Sequence, residues 1–135
     1  MSEALVEFLR ARLEQDEASA KAASPGPWRP SEESDEVLAV DGVTVADGFA
    51  LSGRQLRATT EHIARHDPAR VLAEVGARRH LIELHQERLE QGYGTDFCAE
   101  CGFGEVGRQY YPCQTLRLLA LPYADHPDYQ ERWRP

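Results

Sequence analysis

The sequence predicts an α+β fold, and three observations carry that prediction. Residues 3–22 and 54–90 space their apolar residues as helices do, and residues 37–51 are short β-branched runs separated by Asp-Gly pairs. Residues 96–121 hold every cysteine of the chain and then become an apolar helical run. The expected architecture is an N-terminal helix, a small antiparallel meander, a long central helix, and a C-terminal zinc-knuckle segment closed by a short buried helix. At 135 residues the chain fits a single domain, 1–135. Within it, 1–28 form a helix and Pro-Gly-Pro-Trp turn, 29–53 a loop and meander, 54–91 a helix pair, and 92–135 the cysteine-containing segment, helix and tail.

In the first helix, Leu5, Leu9, Leu13 and Ala20 share one side at ~100° per residue. Ser24-Pro25-Gly26-Pro27 stops it, because two prolines around a glycine cannot continue a helix, and Trp28 reads as the apolar anchor of that turn. Residues 29–36 are polar and read as a mobile loop. Asp41-Gly42 and Asp47-Gly48 then separate three β-branched or apolar runs, the pattern of two tight hairpin turns. Three short strands need a helix packed on one face.

The second helix is expected over 54–66. Asp67-Pro68 follows as an N-cap with proline at the first helical position, opening a third helix that runs to about Glu90. Val71, Val75, Ile82, His85 and Leu89 lie within ~40° of one line on that helix, with Arg78 in the same arc and His80 opposite. Arg70 with Glu74 and Arg79 with Glu83 stand at i,i+4, where opposite charges support a helix. Gln91-Gly92-Tyr93-Gly94 ends it. From Cys113 to Leu121 the chain is apolar nearly all round, hence a buried helix, and Pro122 stops it. The tail packs through Tyr123, Tyr129 and Trp133.

Composition excludes several function classes. Apolar content of 41% and charged content of 28% describe a globular protein. The acidic N-terminal stretch is no signal peptide, and no run approaches the ~18 apolar residues of a membrane span, so a cytoplasmic protein is expected. A net charge of −8 opposes the phosphate backbone of nucleic acid, although residues 51–80 are locally basic. Lys21 is the one lysine, leaving no lysine for a phosphate-binding Gly-Lys pair.

The strongest chemical signal is Cys98-x-x-Cys101 with Cys113 twelve residues on. A C-x-x-C knuckle turns two thiolates toward one ion, and structural zinc takes four tetrahedral ligands from Cys and His. Gly102 and Gly104 ease the positive φ such a knuckle needs, and Cys113 at a helix start has the dipole to favour a thiolate. His85, at the edge of the inward stripe, is the selected fourth ligand. His126 and a water, which would leave an open and catalytic position, are the alternatives. Three reduced cysteines with no metal is the competing reading, with Cys113 as core filler and His85 as a hydrogen-bonded core histidine. Thioredoxin-type redox chemistry lacks its βαβ context. A secondary site is offered by His62 and His66, at i,i+4 on one helical face, with Asp67 beside them; no H-E-x-x-H supplies a general base.

Three segments together carry a resemblance: ASPGPW at 23–28, HIARHDPARVLAEV at 62–75, and PCQTLRLLALPYADHPDYQERWRP at 112–135. They resemble an actinobacterial, streptomycete-type family of unknown function, found in genomes and in mobile or phage-related elements. The likeness covers the N-terminal helix to Trp28 and about Thr60 to the end; residues 29–59 fall outside it. Phage-encoded accessory proteins are similar more loosely. The resemblance implies a histidine near the end of the long helix, a C-x-x-C, and a Pro-Cys before T-L-R-x-L-A, which correspond to His85, Cys98, Cys101 and Cys113. The functional expectation is a small zinc-stabilised accessory or interaction protein, non-enzymatic, with a protein partner rather than a membrane or nucleic acid. The rival expectations are a metal-dependent enzyme using an open zinc position or the His62/His66 pair, and a nucleic-acid adaptor working through Arg54, Arg57, Arg65 and the zinc knuckle.

Overall fold

The computed structural model describes residues 2–89, 96–104, 107–108 and 111–135. Along them run helix α1 (Ser2–Ala22), strands β1 (Arg29–Pro30), β2 (Glu36–Leu38) and β3 (Thr44–Asp47), and helices α2 (Gly53–Arg65) and α3 (Pro68–Leu84). Strands β4 (Glu87–Leu89), β5 (Asp96–Cys98), β6 (Phe103–Gly104) and β7 (Gly107–Arg108) precede helix α4 (Gln114–Ala120), and short 3-10 turns lie at Leu121–Tyr123 and Glu131–Trp133. The class is α+β, with small antiparallel sheets. The chain divides into two compact units, residues 15–75 and residues 1–14 with 76–135.

In the 15–75 unit the meander forms one strand upstream of its expected place. The sheet order is β1-β2-β3, with Arg29 opposite Leu38 and Val37 opposite Ala46. Residues 29–36 are therefore not the loose loop their polarity suggests. Ser31 Oγ accepts from the backbone amides of Asp35 and Glu36 and donates to the Asp35 carboxylate at 2.8 Å, closing a tight turn with Ser34 at φ 58°. The Asp41-Gly42 hairpin does form. Gly42 sits at φ 85° and Val43 N donates to Asp41 Oδ1, but Asp41 keeps a negative φ, so this is not the type I′ turn the dipeptide suggests.

Asp47-Gly48 makes no hairpin. Gly48 N donates to Asp35 O at 2.7 Å, and a Cβ on Gly48 would stand 2.8 Å from both Leu56 Cδ1 and Thr60 Oγ1 of α2. The glycine serves close approach of the chain to a helix, and the expected strand at 49–51 is absent, leaving Phe49 and Leu51 exposed. Helix α2 opens on Ser52, whose side chain accepts from Gln55 N, and packs on β1 and β2 through Thr60 and Ala64.

In the other unit, Leu5, Leu9 and Leu13 of α1 are buried as their spacing predicts. Phe8 joins them and receives the tail: its ring meets those of Trp133 at 5.1 Å, Tyr129 at 6.0 Å and Tyr123 at 6.4 Å. Arg12 lies over the same ring at 5.1 Å. Helix α3 ends at Leu84, short of the predicted Glu90, because Glu87–Leu89 pair as a strand with Asp96–Cys98. Nothing local stops the helix there, since Glu, Arg and Leu are all good helix formers; the strand partner across the intervening turn overrides them. The predicted Gln91–Gly94 terminator lies outside the described residues. Helix α4 buries Leu116 and Ala120 but leaves Leu118 50% exposed, and Leu121 just beyond it is 36% exposed, so the run is two-faced rather than buried all round.

Candidate metal centre

Each corner of the cysteine cluster is set by backbone structure. His85 follows the last residue of α3 and its amide still donates to Leu81 O at 3.1 Å, so the helix aims the ring. Cys98 closes β5 opposite Glu87, which brings it beside the end of that helix. The chain then turns with Gly102 N donating to Cys98 O at 2.9 Å and Gly102 at φ 53°, a backbone conformation that suits glycine and swings Cys101 back toward Cys98. Gly104 has no such role, lying in β6. Cys113 is the N-cap of α4, with extended backbone at φ −69° and ψ 166°.

The four side chains converge. His85 Nδ1 lies 3.2 Å from Cys98 Sγ, 3.6 Å from Cys101 Sγ and 3.6 Å from Cys113 Sγ. All four candidate ligand atoms are within 4.8 Å of one another. Cys98, Cys113 and His85 are buried, and Cys101 is half-buried. An ion ~2.3 Å from sulfur and ~2.0–2.1 Å from nitrogen, with tetrahedral angles, separates nitrogen from sulfur by about 3.5 Å. The observed spacings bracket that value, so this donor set can hold a metal ion.

Electrostatics within the cluster show what a cation would change. Burial, reinforced by hydrogen bonding to Cys98 and by the charge of Cys113, pushes the Cys101 thiol up to about 12. Burial also raises Cys113, with the Leu116 backbone amide acting the other way. Three close thiolates are costly without a counter-charge, so the metal-free cluster keeps protons that a divalent ion would displace. Tyr111, which sequence reasoning did not single out, shares the environment: burial and then the Glu87 carboxylate push its phenol up to about 12. Its nearness depends on how the chain folds back, and no spacing in the sequence announces it.

The other candidates are placed elsewhere. His126 is not at the cluster; its ring faces Arg12 Nη1, with Nδ1 at 2.8 Å, and Nδ1 accepts from Asp128 N. His62 and His66 do share a face, with ring centroids 4.4 Å apart and His66 Nδ1 2.8 Å from His62 O. Asp67 is not turned toward them. Its Oδ1 caps α3 by accepting from Arg70 N at 2.8 Å, and its Oδ2 accepts from Trp28 N at 2.9 Å. Asp67 is buried on the strength of those two bonds.

A family model described as a family of unknown function (DUF6221) matches residues 2–135. No curated protein and no solved structure matches the chain.

Proposed function

We propose, for a chain that belongs to the family of unknown function DUF6221, a zinc-stabilised accessory or interaction protein in which the metal serves structure. The observation that carries this reading is that all four corners of the cluster are protein side chains, three of them buried. Structural zinc sites are closed in this way, whereas catalytic sites keep one position for water or substrate. Three thiolates and a neutral imidazole also match zinc in softness and in tetrahedral spacing. An open-site enzyme is the weaker reading because His85 fills the corner a water would need.

On this reading the ion joins the end of α3, the β5 strand and the start of α4, within the unit that buries Leu5, Leu9, Leu13 and Leu116. Structural zinc contributes on the order of 10–16 kcal/mol in small metal-dependent domains, enough to decide whether such a unit folds. The setting is a reducing cytoplasm, consistent with free cysteines; among the described residues no helix is long and apolar enough to cross a membrane. The mobile-element, actinobacterial background suggested by the sequence motifs belongs to the same proposal.

The test is metal content with chelation. The purified protein is expected to carry about one zinc per chain and to lose structure when the metal is stripped. Metal-free protein of equal stability would overturn the proposal.

A further inference from the structure

A second site lies in the 15–75 unit, apart from the cysteines. A cavity of about 640 Å³ opens between α2, the start of α3 and the Trp28 turn, lined by Trp28, Arg29, Glu61, Arg65, Asp67 and Arg70. That volume falls in the range of small-molecule sites, ~300–1,000 Å³. We infer that this cavity binds a nucleoside monophosphate, with Trp28 against the base and the three arginines around the phosphate.

The walls are held in place before any ligand arrives. Trp28 is fixed at both ends, its backbone amide donating to Asp67 Oδ2 at 2.9 Å and its indole Nε1 donating to Ser24 O at 2.8 Å. The indole is half-buried, so part of it remains open to contact. Asp67 in turn caps α3, and Gly26 leaves it room, since a Cβ there would stand 2.9 Å from Oδ2. Pro30 and the buried Ala64 complete an apolar surface beside the indole. Such a surface suits a flat ring, which stacks well on indole and on guanidinium planes.

The charges around it are unevenly satisfied. Arg29 uses one donor on Ala39 O at 3.2 Å, and Arg70 uses two, Nε on the Glu74 carboxylate at 3.1 Å and Nη1 on Arg65 O at 3.5 Å. Arg65 and Glu61 have no side-chain partner among the described residues. Each guanidinium carries five N–H donors, so most of the donors of these three arginines remain for a ligand. The Asp67 carboxylate is held by two backbone amides, and Arg29, Arg65 and Arg70 against Glu61 and Asp67 leave the lining at a formal charge of +1 within a chain of net charge −8.

A carboxylate is matched by one arginine fork, whereas a phosphate monoester has three oxygens for several forks. Glu61, exposed at the rim, can accept a hydrogen bond from an amino group on the ring. A planar base with N–H donors, carrying one phosphate, answers all of these features. A longer nucleic-acid strand would bring its further phosphates onto the acidic remainder of the chain.

The experiment is a titration of the full ¹⁵N-labelled protein with AMP, adenosine and inorganic phosphate in turn. The readout is the pair of indole N–H signals from the two tryptophans. AMP is expected to move the Trp28 signal and leave that of Trp133 in place, with adenosine and phosphate each binding at least about tenfold more weakly. Arg65→Ala, at an exposed residue with no side-chain partner among the described residues, is expected to weaken AMP about tenfold and leave adenosine unchanged, with Arg65→Lys restoring part of the loss. No movement of the Trp28 signal up to about 10 mM AMP, equal affinity for AMP and adenosine, or unaltered AMP binding by Arg65→Ala would each overturn the inference. None of these readouts involves the cysteine cluster, so they stand or fall separately from the zinc proposal.

Discussion

Replacing His85 with alanine tests the fourth corner of the cluster directly. The imidazole is buried, and its Nδ1 sits within 3.2–3.6 Å of all three sulfurs, so its loss removes one of the four candidate ligands. If the four ligands share the ~10–16 kcal/mol of a structural zinc site evenly, one is worth about 2.5–4 kcal/mol, a loss of roughly 10²–10³ in affinity. Competition with a chromophoric chelator measures that loss, and His85→Cys, which keeps four ligands, is expected to recover most of it. The same titration should release protons. Cys101 and Cys113 have raised thiol pKa values without metal, so at neutral pH both are protonated and the ion must expel about two protons from them. Affinity therefore rises with pH and falls in acid. Unchanged zinc affinity in His85→Ala, or binding that neither releases protons nor depends on pH, would refute the assignment.

Three further outcomes follow from the packing. Gly48→Ala places a Cβ 2.8 Å from Leu56 Cδ1 and Thr60 Oγ1, and is expected to cost about 1–3 kcal/mol in chemical denaturation. Asp67→Ala removes the cap of α3 and leaves Trp28 N without its acceptor; a loss of about 2–3 kcal/mol is expected, and the Trp28 indole signal should shift. Leu118→Gln, on the exposed side of α4, is expected to change stability by no more than about 0.5 kcal/mol, where a helix buried on all sides would lose several times that.

The differences between sequence and structure follow from the range of the interactions involved. Helix α1, the start of α3 at Asp67-Pro68 and the Asp41-Gly42 hairpin are set within a few residues, by apolar spacing, a cap and a glycine at positive φ, and the chain carries those signals locally. Of the predicted stripe, Val75, Ile82 and His85 are buried, but the helix meant to carry it through Leu89 ends at Leu84. The strand at Glu87–Leu89 was not legible, because its reason is a partner at Asp96–Cys98 and its own residues favour helix. Gly48 misled in a related way: a glycine after aspartate signals a turn, yet here the missing side chain admits α2. Helix α4 misled because composition counts apolar residues without saying which face meets a core.

Chemistry and placement divide along the same line in the two sites. Cys98-x-x-Cys101 and Cys113 offer three sulfur ligands by residue type and spacing alone, since a short knuckle lets two sulfurs face one point. That His85 stands at the fourth corner, and His126 beside Arg12 instead, was decided by where α3 ends and where β5 returns, which are long-range pairings. The cavity at Trp28 is a tertiary feature throughout. Trp28 and Arg29 come from one segment and Arg65 and Arg70 from another, and the Asp67 carboxylate that joins the turn to the helix does so only because folding brings Trp28 N within 2.9 Å of it. Local order follows from neighbours in sequence; a site drawn from distant segments exists only once burial and hydrogen bonding have brought them together.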